Sequence, residues 1–336
     1  MTRIPVLFAV AVAILIGGCS QPPPPRPVPL PENPNFARHA AALKSEIAGF
    51  PMTGAFLGTR TYEDFRYFPE ELIRRLQMAG ITQAYLLSEG YEIADFGEEF
   101  PAFLAAFKKV GIPVWIVVSD HIIYEKPQES FAHLNTLEHD YDKHLLRRIT
   151  EFSATENVLG IALALTPHLR SHLRSRGLYS WSDATYGINN DNDRLIKQSM
   201  ALIAGVRKRF RTKPLSVIVP EFYHTRAAAS DLSAGKVTDF LSLADQVVVA
   251  ADAQNGLAAL RPQLTEAASL GRQLVICVSA GSHYSGRRFN LTGEDTFTVF
   301  MERLSKGLND IRNVPGFGGI ALMNFRGLEI LLEQPE

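Results

Sequence analysis

Four carboxylates, Glu89, Asp120, Glu221 and Asp252, each stand just past a short apolar run, within "LLSEG", "VVSDH", "IVPEF" and "VAADA". Two carboxyl groups facing one reacting bond can divide the work of general acid and general base. Glu221 is followed by Phe222 and Tyr223, and a carboxyl group partly desolvated by aromatic neighbours keeps its proton to higher pH, as an acid catalyst needs. Asp120 is the first choice as its partner, with Asp252 and Glu89 as the others. A structural ion pair between Glu221 and a nearby arginine is the competing reading.

Imidazoles share this placement. His121, His168, His224 and His283 follow four different apolar runs. Histidines mixed with carboxylates are what a metal-dependent hydrolase would assemble. No His-x-His pair follows the first run, as an amidohydrolase-like pattern would require, so no metal or other cofactor is expected and a metal-dependent barrel hydrolase is carried as a second alternative. The histidines are read instead as contacts to substrate hydroxyls. Arg60, Tyr91, Trp181, Tyr223, Tyr284, Asn324 and Arg326 complete the expected binding set. Arginine's planar fork suits carboxylate and phosphate groups, and the aromatic rings suit stacking. Pairing of these arginines with Glu92, Asp95, Glu125 and Asp231 is the alternative.

These residues need elements to hold them. From residue 52 onward, apolar runs rich in Val, Ile and Leu recur at 52–60, 81–90, 112–120, 158–168, 214–224, 244–254, 272–284 and 316–327. Near-continuous apolar runs of this length are expected as strands covered on both faces, as in a parallel sheet. Segments with helical spacing separate them. "PEELIRRLQMAG" (69–80) and "PAFLAAFKKVG" (101–111) each open on proline and end on glycine, the usual asymmetry of helix ends. Residues 191–210 place Leu195, Met200, Leu202, Ile203 and Val206 along one side, and "NNDND" (189–193) is read as a cap, since it lacks the glycine and closing glutamate of a calcium loop. Residues 292–311 open on Thr292 and Asp295, a capping-box spacing. The element between the fifth and sixth runs, near 233–244, is short. The long aromatic-rich segment 169–190 reads as a lid or binding loop.

Strand and helix alternating eight times in under 300 residues predict an α/β protein, a single (β/α)8 TIM barrel. A doubly wound open sheet is the rival, but "GTRTYEDF" after the first run lacks the glycine-rich turn of a nucleotide site. In such a barrel the loops after the strands build the site. The architecture and these strand-end residues resemble the secreted and lipid-anchored (β/α)8 glycoside hydrolases of bacteria, over roughly residues 50 to 330. The stretch "GFGGIALMNFRGLEILL" is similar to the last strand of such barrels. The resemblance implies a polysaccharide or oligosaccharide as partner, cleaved with two carboxyl groups. It also has departures. The large retaining clan would place acidic residues after strands four and seven, where this chain has Thr166-Pro167-His168 and Ser279, and the chitinase-like DxxDxDxE series is absent. A glycan-binding or structural module without catalysis is therefore carried as the alternative.

The N-terminus suggests where this takes place. An apolar run from Ile4 to Ile16 behind Arg3 is too short to span a bilayer and fits a signal peptide. Ile16-Gly17-Gly18-Cys19 resembles the lipobox of bacterial lipoproteins, which implies cleavage after residue 18 and lipidation of Cys19. Ser20 rather than aspartate implies the outer membrane over the inner. Residues 19–35 then form a proline-rich tether of roughly 40 Å at about 3.1 Å per residue, and 36–336 the barrel. With 34 basic and 35 acidic residues, no overall field draws in nucleic acid. Cys277, within "LVICVS", reads as a small core residue.

Overall fold

The computed structural model describes residues 33–88, 91–119, 138–164, 190–230, 232–251, 255–280 and 296–335. The chain divides between Leu30 and Pro31, and all of these residues belong to the second unit. Its eight strands form one closed, wholly parallel barrel in sequence order. They are β1 (Thr53–Leu57), β2 (Gln83–Leu87), β3 (Val114–Ser119), β4 (Gly160–Ala164), β5 (Leu215–Pro220), β6 (Gln246–Ala250), β7 (Leu274–Ser279) and β8 (Phe317–Met323). Each lies inside one of the eight apolar runs.

The covering helices are α1 (Pro34–Glu46), α2 (Thr59–Phe65), α3 (Pro69–Met78), α4 (Phe100–Lys109), α5 (Glu138–Ala154), α6 (Asn190–Arg209), α7 (Glu221–Ala228), α8 (Val237–Leu241), α9 (Arg261–Ser269), α10 (Phe297–Ile311) and α11 (Phe325–Glu333). Helix α1 begins inside the stretch assigned to the tether, because Asn33 caps it by accepting from Asn35 N at 3.0 Å and Pro34 supplies a preset φ at its start. It then docks on α11: His39 Nδ1 lies 3.1 Å from the Leu332 carbonyl, and its ring stacks on Phe297 at 4.0 Å.

Three details depart from the sequence reading. Helix α6 buries Ile203 and Val206 as the stripe requires, but its buried face also takes in Ile196 and Ser199, while Met200 and Leu202 are only partly buried. Helix α10 starts at Phe297, and Thr296 rather than Thr292 caps it, accepting from Val299 N. The runs at 52–60, 214–224 and 316–327 stop being strand early, at Leu57, Pro220 and Met323, and turn into α2, α7 and α11 almost at once.

Two apolar layers result. The larger lies between strands and helices; the smaller fills the barrel with Phe56, Tyr85, Trp115, Val117, Ile218, Val248 and Val275 among others. Phe56, Tyr85 and Trp115, on three neighbouring strands, stack at 4.6 and 6.4 Å. Room for them comes from Gly54 and Gly160, where a Cβ would sit 2.7 Å from Tyr85 and 2.6 Å from Trp115. The buried Tyr85 hydroxyl accepts from Gln83 Nε2 and donates to Gln246 Oε1, both at 2.7 Å, and Ser216 Oγ donates to the same Gln246 oxygen at 3.0 Å. Burial pushes the Tyr85 phenol and the Cys277 thiol up, so both stay neutral.

Closure needs β8 to meet β1. The register slips between Leu274 and Val275, which pair with Phe317 and Gly319, so Gly318 is an extra residue, a bulge. Gly319 has φ +126°, and a Cβ there would lie 1.9 Å from the Met52 carbonyl oxygen. Strain of this kind costs about 1–3 kcal/mol before any clash, so Gly319→Ala should destabilise the fold by on the order of 3 kcal/mol. Gly205→Ala, in α6 with nothing within 4 Å of the new Cβ, should instead add about 0.5–1 kcal/mol. Urea unfolding midpoints of the two variants check both signs.

Candidate functional site

Side chains on a strand alternate between faces. The inner cluster contains Tyr85, Ala162, Ile218, Val248, Cys277 and Ala321, so the next inward positions toward the C-terminal end are Leu87, Ala164, Pro220, Ala250, Ser279 and Met323. These form the floor of the mouth. They are small or apolar, and among the described residues the floor holds no carboxylate and no imidazole.

Glu221 lies one step off this ring. As the first residue of α7, it is only 2 % exposed, with Oε1 3.4 Å from Asn255 Nδ2 on the loop after β6. Its carbonyl accepts from Gln263 Nε2, also at 3.4 Å. An acidic residue in a helix's first turn complements the helix dipole, so Pro220 at the N-cap and Glu221 after it form a local start signal. Strand-exit loops five and six thus converge on one buried carboxylate.

The other expected residues scatter. Tyr223 is 2 % exposed and packs in the wall beside Phe222 at 4.7 Å, so it is not the open stacking platform expected. His224 is likewise turned from the mouth: its Nδ1 accepts from Val237 N at 3.3 Å, capping α8, and its Nε2 stands 3.6 Å from Glu266. Arg60 is exposed on α2. Tyr91 is partly buried; its hydroxyl donates to Glu63, and its ring meets Phe96 edge-on at 5.3 Å. Arg326 pairs with the buried Glu329 at 3.3 Å. Asn324 caps α11 from a left-handed conformation, φ 70°, accepting from Gly327 N, while its Nδ2 is buried without a hydrogen-bond partner. Asparagine is among the few residues that tolerate this region. Glu89, Asp120, His121, His168, Trp181, Asp252, His283 and Tyr284 lie outside the described residues, as does the 169–189 part of the expected lid.

The sequence reading passed over Arg148. Fully buried on α5, it donates from Nη2 to Ser88 Oγ at 2.9 Å and to the Tyr91 carbonyl at 2.8 Å. Ser88 Oγ in turn donates to the Val117 carbonyl at 2.8 Å. This arginine therefore pins both ends of the short loop after β2 and ties it to β3. The signal was present: Arg148 shares a helical face with Phe152, four residues on. Among the described residues no three His, Cys, Asp or Glu side chains gather as a metal site.

No family model matches the sequence. No curated protein matches it either. Similar solved structures include a GH18 chitinase from Pseudoalteromonas aurantia, with TM-score 0.51 and 12% identity over 83% of this chain and 97% of that one. A thermostable mutant of a xylanase (Xyn10A) from Cellvibrio japonicus gives TM-score 0.49 and 13% identity, over 84% and 88%. The Bacillus cereus spore cortex-lytic enzyme SleL gives TM-score 0.49 and 9% identity, over 84% and 73%. At these identities the likeness is one of fold: the chain is a barrel of the kind that glycoside hydrolases use.

Burial pushes the His224 imidazole below its ordinary value of 6.5, against the pull of Glu266 and Asp239 and with the help of Lys236. An unfolded His224 takes up a proton near pH 6.5 that the folded one resists, so stability is full above that pH and declines as pH falls through the lower folded value. His224→Gln should flatten this decline between pH 6.5 and 5, read as urea midpoints across that range.

Proposed function

We propose that this chain is a cell-envelope lipoprotein whose barrel mouth takes a polysaccharide, with Glu221 as its acid–base carboxyl group. The observation that carries the reading is the burial of that carboxylate at the exit of β5, with the Asn255 amide beside it. A desolvated carboxyl group at a barrel mouth is suited to protonating a leaving oxygen. The shared fold with a chitinase adds support. Asp120, Asp252 and Glu89 remain the partners proposed from sequence, and the rim arginines favour an anionic or acetylated glycan.

A second reading has its own observation. The floor ring of Leu87, Ala164, Pro220, Ala250, Ser279 and Met323 offers no carboxylate, and positions after strands four and seven lack the acidic residues of the large retaining clan. A mouth of this kind could grip a glycan without cutting it.

A cleavage and binding screen on oligosaccharides separates the two. General acid–base catalysis contributes about 10²–10⁴-fold, so Glu221→Gln should lower cleavage by at least about a hundredfold while glycan affinity is kept. Binding with no turnover by the unaltered protein would establish the non-catalytic reading. For the anchor, Cys19→Ser should abolish labelling by palmitate in cells; undiminished labelling would refute the lipobox.

A further inference from the structure

The end of the barrel opposite the mouth carries an unused cluster of charge. Helix α6 closes, and the chain enters β5, through Arg207-Lys208-Arg209-Phe210-Arg211-Thr212-Lys213. Two of these cations are committed. Arg207 holds Asp245 with two contacts at 2.6 and 2.8 Å, and Lys213 Nζ lies 3.4 Å from the carbonyls of Thr155 and Val158. Lys208, Arg209 and Arg211 are exposed and form no ion pair among the described residues. The Arg209 guanidinium lies 5.6 Å from the Phe210 ring centre.

The cluster continues round the base. Lys213 ties the entrance of β5 to the loop before β4, and Leu159 N donates to the Val114 carbonyl at 2.8 Å, joining that loop to β3. There α4 ends in Lys108-Lys109, with Val110 just past it, all exposed. Val110 is 42 % exposed and Leu159 36 %. Besides Asp245, which Arg207 holds, the exposed Glu156 stands in the same arc. Cations flanking exposed apolar side chains complement a surface that is negative outside and apolar just beneath, which is the chemistry of an anionic bilayer.

We propose that this base docks on anionic phospholipid and so turns the mouth away from the membrane, toward the polymer. The inference rests on the envelope reading given above. Its test does not use the lipid anchor on Cys19. The body, residues 31–336, holds all eight strands and every helix named, so it serves as the probe. It should sediment with vesicles of phosphatidylcholine mixed equally with phosphatidylglycerol, and not with phosphatidylcholine alone. Added salt should release it. Each Lys or Arg near an anionic surface contributes about fivefold, so joint Lys208→Glu, Arg209→Glu and Arg211→Glu should lower partitioning by at least about a hundredfold. Its urea midpoint should fall only slightly, since Lys208 and Arg209 face the C-terminal dipole of α6 but hold no ion pair among the described residues. Equal binding to both vesicles, or a triple variant that binds as before, overturns the proposal. So does retention on soluble polygalacturonate that matches retention on vesicles, which would assign the cluster to a polymer. Palmitate labelling of Cys19 is read separately, so loss of docking and loss of the anchor remain distinct results.

Discussion

Eight parallel strands close only if the last can lie against the first, and β8 meets that demand by giving up side chains. Gly318 is the extra residue of the bulge, and Gly319 brings the backbone against Met52, so that Ile320 N reaches the Met52 carbonyl at 3.1 Å. An open edge would leave a row of unpaired N–H and C=O groups; closure pairs them. Closure also makes the strand exits converge. Without the seam, the exits of β1 and β8 would lie at opposite edges of a sheet rather than side by side on one rim.

The filling of the barrel decides how deep that rim can reach. Three stacked aromatics from β1, β2 and β3 occupy the lower interior, and glycines at 54 and 160 make way for them. The one hydroxyl they bring inside is satisfied by Gln83 and Gln246, and the one thiol, Cys277, is held neutral by burial. Nothing reactive is left below the floor. Among the described residues, the polar groups that remain open near the mouth are therefore offered by the loops and the first turns of helices, not by the strands. Arg148 shows how such a loop is held: a buried guanidinium donates from one nitrogen, Nη2, to Ser88 and the Tyr91 carbonyl, giving the two ends of the loop after β2 a fixed base. Buried hydrogen bonds of this type favour one arrangement, because each misplaced partner leaves a costly unpaired donor.

The strands were legible in the sequence for the same reason that the site was not. A barrel strand is buried on both faces, so it appears as a continuous apolar run and its existence is plain. That continuity erases the alternation that would tell inward from outward residues, and Glu221 could not be assigned to one side of the β5 line. The exits of β5 and β8 were read as strand because no loop intervenes; Pro220 followed by an acidic residue was the start signal of α7. The buried face of α6 was only partly legible: Ile203 and Val206 lie on it as read, but Ser199, a small polar residue, gave no apolar signal. Tyr223 and His224 were assigned to the mouth because they follow the fifth apolar run, whereas their place in the third and fourth positions past the strand, inside α7, turns them into the wall.

The two ends of the barrel differ electrostatically before any side chain is considered. Every covering helix that follows a strand starts near the mouth and ends near the base, so partial positive charge gathers at one end and partial negative charge at the other. Acidic residues at helix starts, such as Glu70, Glu71 and Glu221, answer the first. Lysines and arginines in the last turns of α4 and α6 answer the second. The dipole accounts for Lys108, Lys109, Arg207, Lys208 and Arg209. It does not account for Arg211, which lies past the helix, or for Val110 and Leu159 left open beside it. That excess stands at the base, the end of the barrel opposite the strand exits and Glu221, where helix dipoles alone would not have placed it.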